Sequence, residues 1–237
     1  MDKTALVTGG SGAVGGAITR KLVADGWRVA FTWKSNEDAA RSLAEETSAS
    51  GFRMNLVDRE QVERGIGVIL DEFGHIDGLV NNAGLTQVMP FAMIEEDDWD
   101  EIIAANLKSM FLVTREVARG MIQRKAGAIV NIGSLAGHRL LEVPVHYATA
   151  KAGVTGFTLS LAKEFSRYGI RVNEIVPGLL NAGVGAMVPE RELKEYMNYC
   201  AAGRPGEPRE VAEAVAFLLS DAAGYINAQS VHINGGI

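Results

Sequence analysis

TGGSGAVGG, residues 8–16, decides how the rest of the chain is read. Gly10, Gly12 and Gly15 spell G-x-G-x-x-G, the spacing of a glycine turn between a strand and a helix. Read from Thr8 and Gly9 instead, the stretch is a T-G-x-x-x-G-x-G loop with Ala13 at its middle glycine. Glycines let such a backbone turn tightly and approach a pyrophosphate seated on the free N–H groups of the next helix. An ordinary strand-to-helix turn is the plain alternative, because glycine is frequent in any loop. The context is the one the motif needs: TALVT (4–8) precedes it and helical periodicity follows from about Val14 to Asp25. A nucleotide there would rest on Gly9, Ser11, Gly12, Val14 and Gly15.

Working outward, short β-branched runs alternate with helix-period segments to the end of the chain. Strands are predicted at 28–33 (RVAFTW), 52–56 (FRMNL), 76–81 (IDGLVN), 127–133 (GAIVNIG), 170–178 (IRVNEIVPG) and 230–234 (SVHIN). Helices are predicted at 37–48, 59–73, 97–125, 146–168 and 208–220. Continuously apolar strands alternating with helices imply an α/β fold, a doubly wound parallel sheet covered on both faces. No linker or repeat divides the chain, so residues 1–237 read as a single Rossmann-type domain. Residues 179–207 mix Gly, Pro and Met without clear pattern. Following a strand's carboxyl end, they are placed as a lid over a site.

Apolar residues make up 47% and charged residues 22%, enough apolar material for a substantial core. A net charge of −6 argues against a nucleic-acid partner, since phosphate backbones demand a basic face. One cysteine, Cys200, cannot form an internal disulfide, and no run approaches the roughly 18 apolar residues of a membrane span. A cytoplasmic protein without a membrane anchor is expected, and no metal.

About 20 residues beyond the glycine loop, a site for NAD places an acid on the ribose hydroxyls. Here the strand ends in Trp33, followed by Lys34, Ser35 and Asn36. A cation without a neighbouring carboxylate suits a phosphorylated ribose, so NADP(H) is the expected cofactor. A solvated surface lysine is the alternative for Lys34, and Trp33 could serve packing alone.

YATAK, residues 147–151, puts Tyr147 and Lys151 at i, i+4 on one helix face. A free phenol titrates near ~10, and a neighbouring ammonium favours its ionised form, so Tyr147 could trade a proton with a carbonyl oxygen. Alone, such a pair is a common surface accident. Thirteen residues upstream Ser134 follows the strand 127–133, at the end of a parallel sheet where ligands bind, able to hydrogen-bond a developing oxyanion. No His/Asp pair accompanies Ser134 as in a hydrolase.

With NNAG (81–84), Asn106 in ANLKSMF, VPG (176–178) and VHINGG near the end, these motifs resemble, in order and over essentially the whole chain, the short-chain dehydrogenase/reductases. Through GRPGEPREVAEAVAFLLSD the chain is most similar to their bacterial β-ketoacyl-acyl-carrier-protein reductase branch. The resemblance implies that Tyr147 is the general acid/base and that Lys151 lowers its pKa while bonding the nicotinamide ribose. Ser134 would hold the carbonyl oxygen, and Asn106 a water in a proton relay. It implies that Asn82, Ala83 and Gly84 line the cofactor, with Asn55 and Leu56 near the adenine and Pro177 and Gly178 facing the nicotinamide. It further implies carrier-protein docking near Arg124, Lys125 and Arg167, with Arg171 close by, where solvated helix ends are the plain alternative. A homotetramer is also implied, packed through the helices 97–125 and 146–168 and the last strand. Phe111, Val113, Phe157 and Leu161 would suit those interfaces or face the sheet.

Three positions depart from the pattern: Ala13 for the middle glycine, Gly12 where NADP-dependent relatives often carry a cation, and Ala182 where a threonine usually holds the nicotinamide amide. Each weakens cofactor binding, by about tenfold for one lost hydrogen bond of 0.5–1.5 kcal/mol. The expected reaction is NADPH-dependent reduction of a β-ketoacyl thioester, carrier-bound, in fatty-acid or polyketide-like biosynthesis. A free ketone or alcohol substrate is the alternative, and a non-catalytic nucleotide-binding relative a further one.

Overall fold

The computed structural model describes residues 3–237, apart from the side chains of residues 184 and 187. Seven strands form one parallel sheet: β1 (Thr4–Val7), β2 (Arg28–Trp33), β3 (Ser50–Arg53), β4 (Gly78–Asn81), β5 (Gly127–Ile132), β6 (Ile170–Pro177) and β7 (Ser230–Ile233). Their order across the sheet is β3-β2-β1-β4-β5-β6-β7. The chain therefore runs outward from β1 to one edge, returns, and continues to the other. Between β1 and β4 the connections leave in opposite directions, which opens a crevice at the strands' carboxyl ends.

Both faces of the sheet are apolar because the strands are apolar at every step. In β1, Ala5 and Val7 point to one face and Leu6 to the other. The first face packs on α1 (Ala13–Ala24), α2 (Glu37–Thr47) and α8 (Pro208–Leu219) through Ile18, Leu22, Leu43, Val211 and Val215. The second packs on α3 (Arg59–Phe73), α5 (Ser109–Arg124) and α6 (Val145–Phe165) through Ile66, Ile69, Val117, Met121 and Ala162. Each fully buried Leu, Ile or Phe contributes about 1.5–3 kcal/mol of apolar transfer, offset by the entropy of ordering the chain.

Helix starts follow their capping residues. Asn36 accepts the Ala39 N–H at the start of α2, and Asp58 accepts those of Glu60 and Gln61 at α3. Glu207 and Glu210 form a reciprocal box before Pro208 at α8. At α1 the N-cap is Gly12, with no side-chain cap and no acid in the first turn.

Three elements differ from the sequence pattern. The periodicity over 97–125 reads as one helix but is two, α4 (Glu96–Ile103) and α5, joined by a π-helical turn at Ala104–Lys108. The third strand stops at Arg53, so Asn55 and Leu56 lie in the loop beyond its carboxyl end. Within 179–207, which lacks an obvious pattern, α7 (Glu190–Tyr199) forms with two acids in its first turn, favoured by the helix dipole.

Candidate active site

A cleft of about 1270 Å³ opens at the carboxyl ends of the strands. It joins the glycine loop, the ends of β2, β4, β5 and β6, the start of α6 and the excursion after β6.

At the glycine loop, two glycines are required by close approach. Gly9 has φ +66°, and a Cβ there would lie 3.0 Å from the Ala83 Cα. At Gly15 a Cβ would meet the Gly9 carbonyl at 2.2 Å and Asn82 Nδ2 at 2.7 Å. Gly10 is also obligatory, since its Cβ would strike the Phe31 side chain at 2.5 Å. Gly10 is thus needed for packing rather than for loop freedom. Gly12 has room, its nearest neighbour being at 3.4 Å. Ala13 opens α1 with its methyl exposed, so the substitution causes no clash within the protein. Thr8 and Asn82 lock the loop to β4: Asn82 and Ala83 N–H donate to Thr8 Oγ1 at 2.9 and 3.0 Å, and Asn82 Nδ2 donates to the Thr8 carbonyl at 2.9 Å.

These features fit a dinucleotide. The cradle would be filled by a side chain at either Gly9 or Gly15, and the first N–H groups of α1 meet neither a cap nor an acid. At the far end, Trp33, Lys34, Ser35 and Asn36 line the cleft with Asn55 and Leu56. Arg53, which the sequence reading passed over, brings a second cation there. Its guanidinium lies 5.6 Å from the Trp33 ring centre and its Nε donates to the Lys34 carbonyl at 3.3 Å. The arginine stands in FRMNL at the strand's last position, and that was the available signal.

Ser134, Tyr147, Lys151 and Asn106 all line the same cleft. Tyr147 enters on the first turn of α6, after Pro144. Its N–H donates to Nδ1 of buried His146, whose Nε2 faces Gln87 Oε1 at 3.3 Å. Gln87 in turn donates to Asp98 at 2.7 Å, tying the loop after β4 to the start of α6. Lys151, one turn on, is buried and donates to the Ile132 carbonyl at 2.9 Å, with its Nζ 5.8 Å from the Tyr147 ring centre. The i, i+4 pattern predicts a phenol lowered by the ammonium. Instead, burial pushes Tyr147 up from its ordinary value while the Ser134 hydroxyl draws it back. Lys151 is pulled down to about 8 by burial, with the charge of Glu174 opposing. The reason is direction: the ammonium points to the end of β5.

Asn106 sits, fully buried, in the π-helical turn. Its Nδ2 donates to Leu85 O at 2.7 Å and Ile102 O at 2.9 Å, and its Oδ1 accepts the Leu85 N–H at 3.3 Å. Asn106 is therefore a clamp on the chain leaving β4. Gly84 must be glycine there, since its Cβ would lie 2.6 Å from Asn106 Oδ1 and 3.7 Å from Lys151 Nζ.

Pro177 and Gly178 line the cleft at the end of β6. Tyr196 of α7 reaches them, accepting the Leu179 N–H at 2.9 Å, and a Cβ on Gly178 would lie 2.5 Å from its hydroxyl. No sequence pattern singled out Tyr196, because α7 was not read as a helix. Ala182 also lines the cleft.

Arg124, Lys125 and Arg167 are elsewhere. They end α5 and α6 and lead into the amino ends of β5 and β6, about 30 Å along α6 from Tyr147 for Arg167. Arg124 is held by the Ile76 carbonyl at 2.6 Å and by Asp77, and Arg171 by the carbonyls of Leu218 and Ser220. Cations at this chain's own cleft mouth are thus not these: a helix running back from the site carries its last turn to the opposite end. Arg139 does line the cleft. Of the apolar candidates for assembly, Val113 belongs to the core and Phe111 is 47% exposed.

Comparison with known proteins settles the family. A family model described as enoyl-(acyl carrier protein) reductase matches residues 10–237. The chain belongs to the short-chain dehydrogenase/reductases. Among the curated members of this family, it is 38% identical over 237 residues to the 3-oxoacyl-(acyl-carrier-protein) reductase of Vibrio harveyi, covering 99% of this chain and 97% of that protein. It is 40% identical over 237 residues to the acetoacetyl-CoA reductase of Shinella zoogloeoides, with 100% and 98% covered. The Escherichia coli K12 3-oxoacyl-(acyl-carrier-protein) reductase is 37% identical over 237 residues, with 99% and 97% covered. A short-chain dehydrogenase/reductase carries a nicotinamide nucleotide and acts on a C=O or CH–OH group. No helix among the described residues is long and apolar enough to cross a membrane.

Proposed function

We propose that this enzyme reduces the ketone of a β-ketoacyl thioester with NADPH, giving the β-hydroxyacyl product. The observation that carries the reading is the meeting of Ser134, Tyr147, Lys151 and Asn106 in one cleft with the glycine cradle. Bound there, the cofactor supplies a hydride to the carbonyl carbon. The protein's own residues handle the oxygen. The Ser134 hydroxyl donates to the carbonyl oxygen, where negative charge develops. The Tyr147 phenol, protonated through neutral pH because burial raises it, hands its proton to the same atom. Lys151 places a positive charge beside the exchange and would bond the nicotinamide ribose, while the remaining Asn106 Oδ1 lone pair would hold a relay water. Gly9, Ser11, Gly12, Val14 and Gly15 would hold the pyrophosphate; Asn82, Ala83, Gly84, Pro177 and Gly178 the nicotinamide half; and Asn55 and Leu56 the adenine.

Leu140, Leu141, Val143, Val188 and Tyr199 give the outer cleft an apolar lining that suits an acyl chain. Residues 179–207 would close over it as a lid, with Tyr196 as the contact between lid and sheet. Acyl-carrier protein is the proposed acyl donor, in the cytoplasm, on the strength of the names of the relatives. In a homotetramer, the basic helix ends at Arg124, Lys125 and Arg167 would serve a neighbouring subunit's cleft. Fatty-acid and polyketide-like routes both need this step.

The test is turnover of acetoacetyl and longer β-ketoacyl thioesters, on carrier protein and on CoA, beside free ketones and enoyl thioesters, with NADPH and NADH. Oxidation of NADPH only with β-ketoacyl thioesters is expected; turnover confined to enoyl thioesters or free ketones would overturn the assignment. For the cofactor, Lys34→Ala is expected to raise the Kd for NADPH about tenfold with little change for NADH, because one charged phosphate contact contributes about 1.5–3 kcal/mol. Equal losses for both, measured by fluorescence titration, would remove Lys34 from the phosphate site.

A further inference from the structure

Behind the cleft, on the α6 side of β6, lies a polar cluster that the reaction as described does not use. Glu174 is fully buried in the middle of β6. Ser230 Oγ on β7 donates to its Oε2 at 2.6 Å, and Thr155 Oγ1 on α6 lies 3.0 Å from the same oxygen. His138 Nε2, from the loop after β5, lies 3.0 Å from Thr155 Oγ1 and 3.4 Å from Glu174 Oε1. The His232 ring stands edge-on to His138, with centres 5.2 Å apart. A carboxylate inside a sheet is costly unless its oxygens are hydrogen-bonded, and here four elements converge to do that.

Its place is specific. Glu174 Oε1 rests on the backbone of Gly133, where a Cβ would come within 2.0 Å of it. The preceding residue, Ile132, is the one whose carbonyl holds the Lys151 ammonium. Thr155 is one turn beyond Lys151 on the same face of α6. Two opposite charges are thus fixed to one dipeptide at the end of β5, and Lys151 has no carboxylate ion-pair partner among the described residues.

We propose that Glu174 is a positioning residue for the reaction, its buried carboxylate supplying the opposing charge that keeps the Lys151 ammonium charged and seated at the end of β5. This rests on the acid–base roles proposed for Tyr147 and Lys151. The groups facing the pair are Tyr147 and Thr155 on α6, His138 and Arg139 on the loop after β5, and Ser230 and His232 on β7. His232 is held below the ordinary imidazole range by burial first, then by His138 and Arg139, so it adds no positive charge to the cluster at neutral pH. Glu174 is accordingly the negative charge that acts on Lys151.

Glu174→Gln keeps the shape and an accepting oxygen but removes the charge. Without it the ammonium loses its proton at lower pH, and the Tyr147 phenol ionises earlier as well. The alkaline limb of the kcat/KM profile for reduction is expected to move down by about one pH unit. Ser230→Ala removes a hydrogen bond and no charge, so it lowers the melting temperature and leaves the limb in place. Should Glu174→Gln not fold, Glu174→Asp withdraws the charge on a shorter arm and shifts the limb the same way by a smaller step. A limb at the parental pH in the foldable variant would overturn the proposal, leaving Glu174 a structural crosslink. Tyr147→Phe is run alongside: an inactive Tyr147→Phe with an unmoved limb in Glu174→Gln sinks only the Glu174 proposal, whereas a fully active Tyr147→Phe sinks the acid–base reading beneath it.

Discussion

Tyr147→Phe is expected to lower kcat/KM for β-ketoacyl reduction by about 10²–10⁴-fold, the range that a positioned general acid contributes. The ring remains, so its packing at the start of α6 and the bond from its N–H to His146 persist. Only the phenolic proton is removed. Binding of NADPH, followed by quenching or energy transfer from protein fluorescence, is expected to stay within about twofold of the parent, well under 1 kcal/mol. The two measurements together separate chemistry from binding. Equal turnover by mutant and parent would mean that the proton comes from elsewhere, and the site would have to be rebuilt around another donor. Ser134→Ala acts on the same oxygen but removes one hydrogen bond, so its loss is expected to be smaller than that of Tyr147→Phe.

Gly15→Ala is the second large effect, and it acts through backbone geometry. The added methyl would sit 2.2 Å from the Gly9 carbonyl and 2.9 Å from the Gly10 Cα, both main-chain atoms that have no rotamer through which to retreat. The loop must therefore shift as a unit, and Asn82 with it. Destabilisation of about 1–3 kcal/mol is expected, typical of overpacking, together with loss of NADPH affinity by more than about tenfold. Gly12→Ala is the control for stability, because its methyl finds space; a change of about 0.5 kcal/mol or less is expected in urea unfolding. If Gly12→Ala destabilised as much as Gly15→Ala, the packing account of this loop would be wrong.

The contrast between these glycines shows what a sequence can and cannot disclose. That Gly9 and Gly15 matter was legible from spacing alone. That Gly10 is fixed by Phe31, 21 residues later on β2, was not, because it depends on how one strand's side chain meets another segment's backbone. The parallel sheet was legible since its strands are apolar at every residue, a pattern that only two covered faces produce. The grouping of Ser134, Tyr147, Lys151 and Asn106 was legible through the family's motifs. The direction of Lys151 was not, because i, i+4 spacing puts two side chains on one face without saying which neighbour the longer one reaches. Glu174 hid in plain sight: one acid inside IRVNEIVPG looks like a strand end, and its burial depends on hydroxyls and imidazoles from three other elements. Arg53 and Tyr196 escaped for a simpler reason, lying one residue past a strand's assigned core and inside an unassigned helix.

The π-helical turn at Ala104–Lys108 has a geometric corollary. A wide turn holds one residue more than an α-turn, so it rotates everything after it by about 100° relative to everything before it. It also strands carbonyls, and here two side chains take them: Asn106 Nδ2 bonds Ile102 O, and Ser109 Oγ bonds Ala105 O at 2.7 Å. The surplus residue works like an offset washer on a shaft. It lets α4 lie along α6 while α5 keeps its own apolar stripe on the sheet, and at the step between them one amide is turned inward to grip Leu85. Removing a single residue from this turn would restore a regular helix and twist that amide out of the cleft. The interruption is therefore the device that aims Asn106.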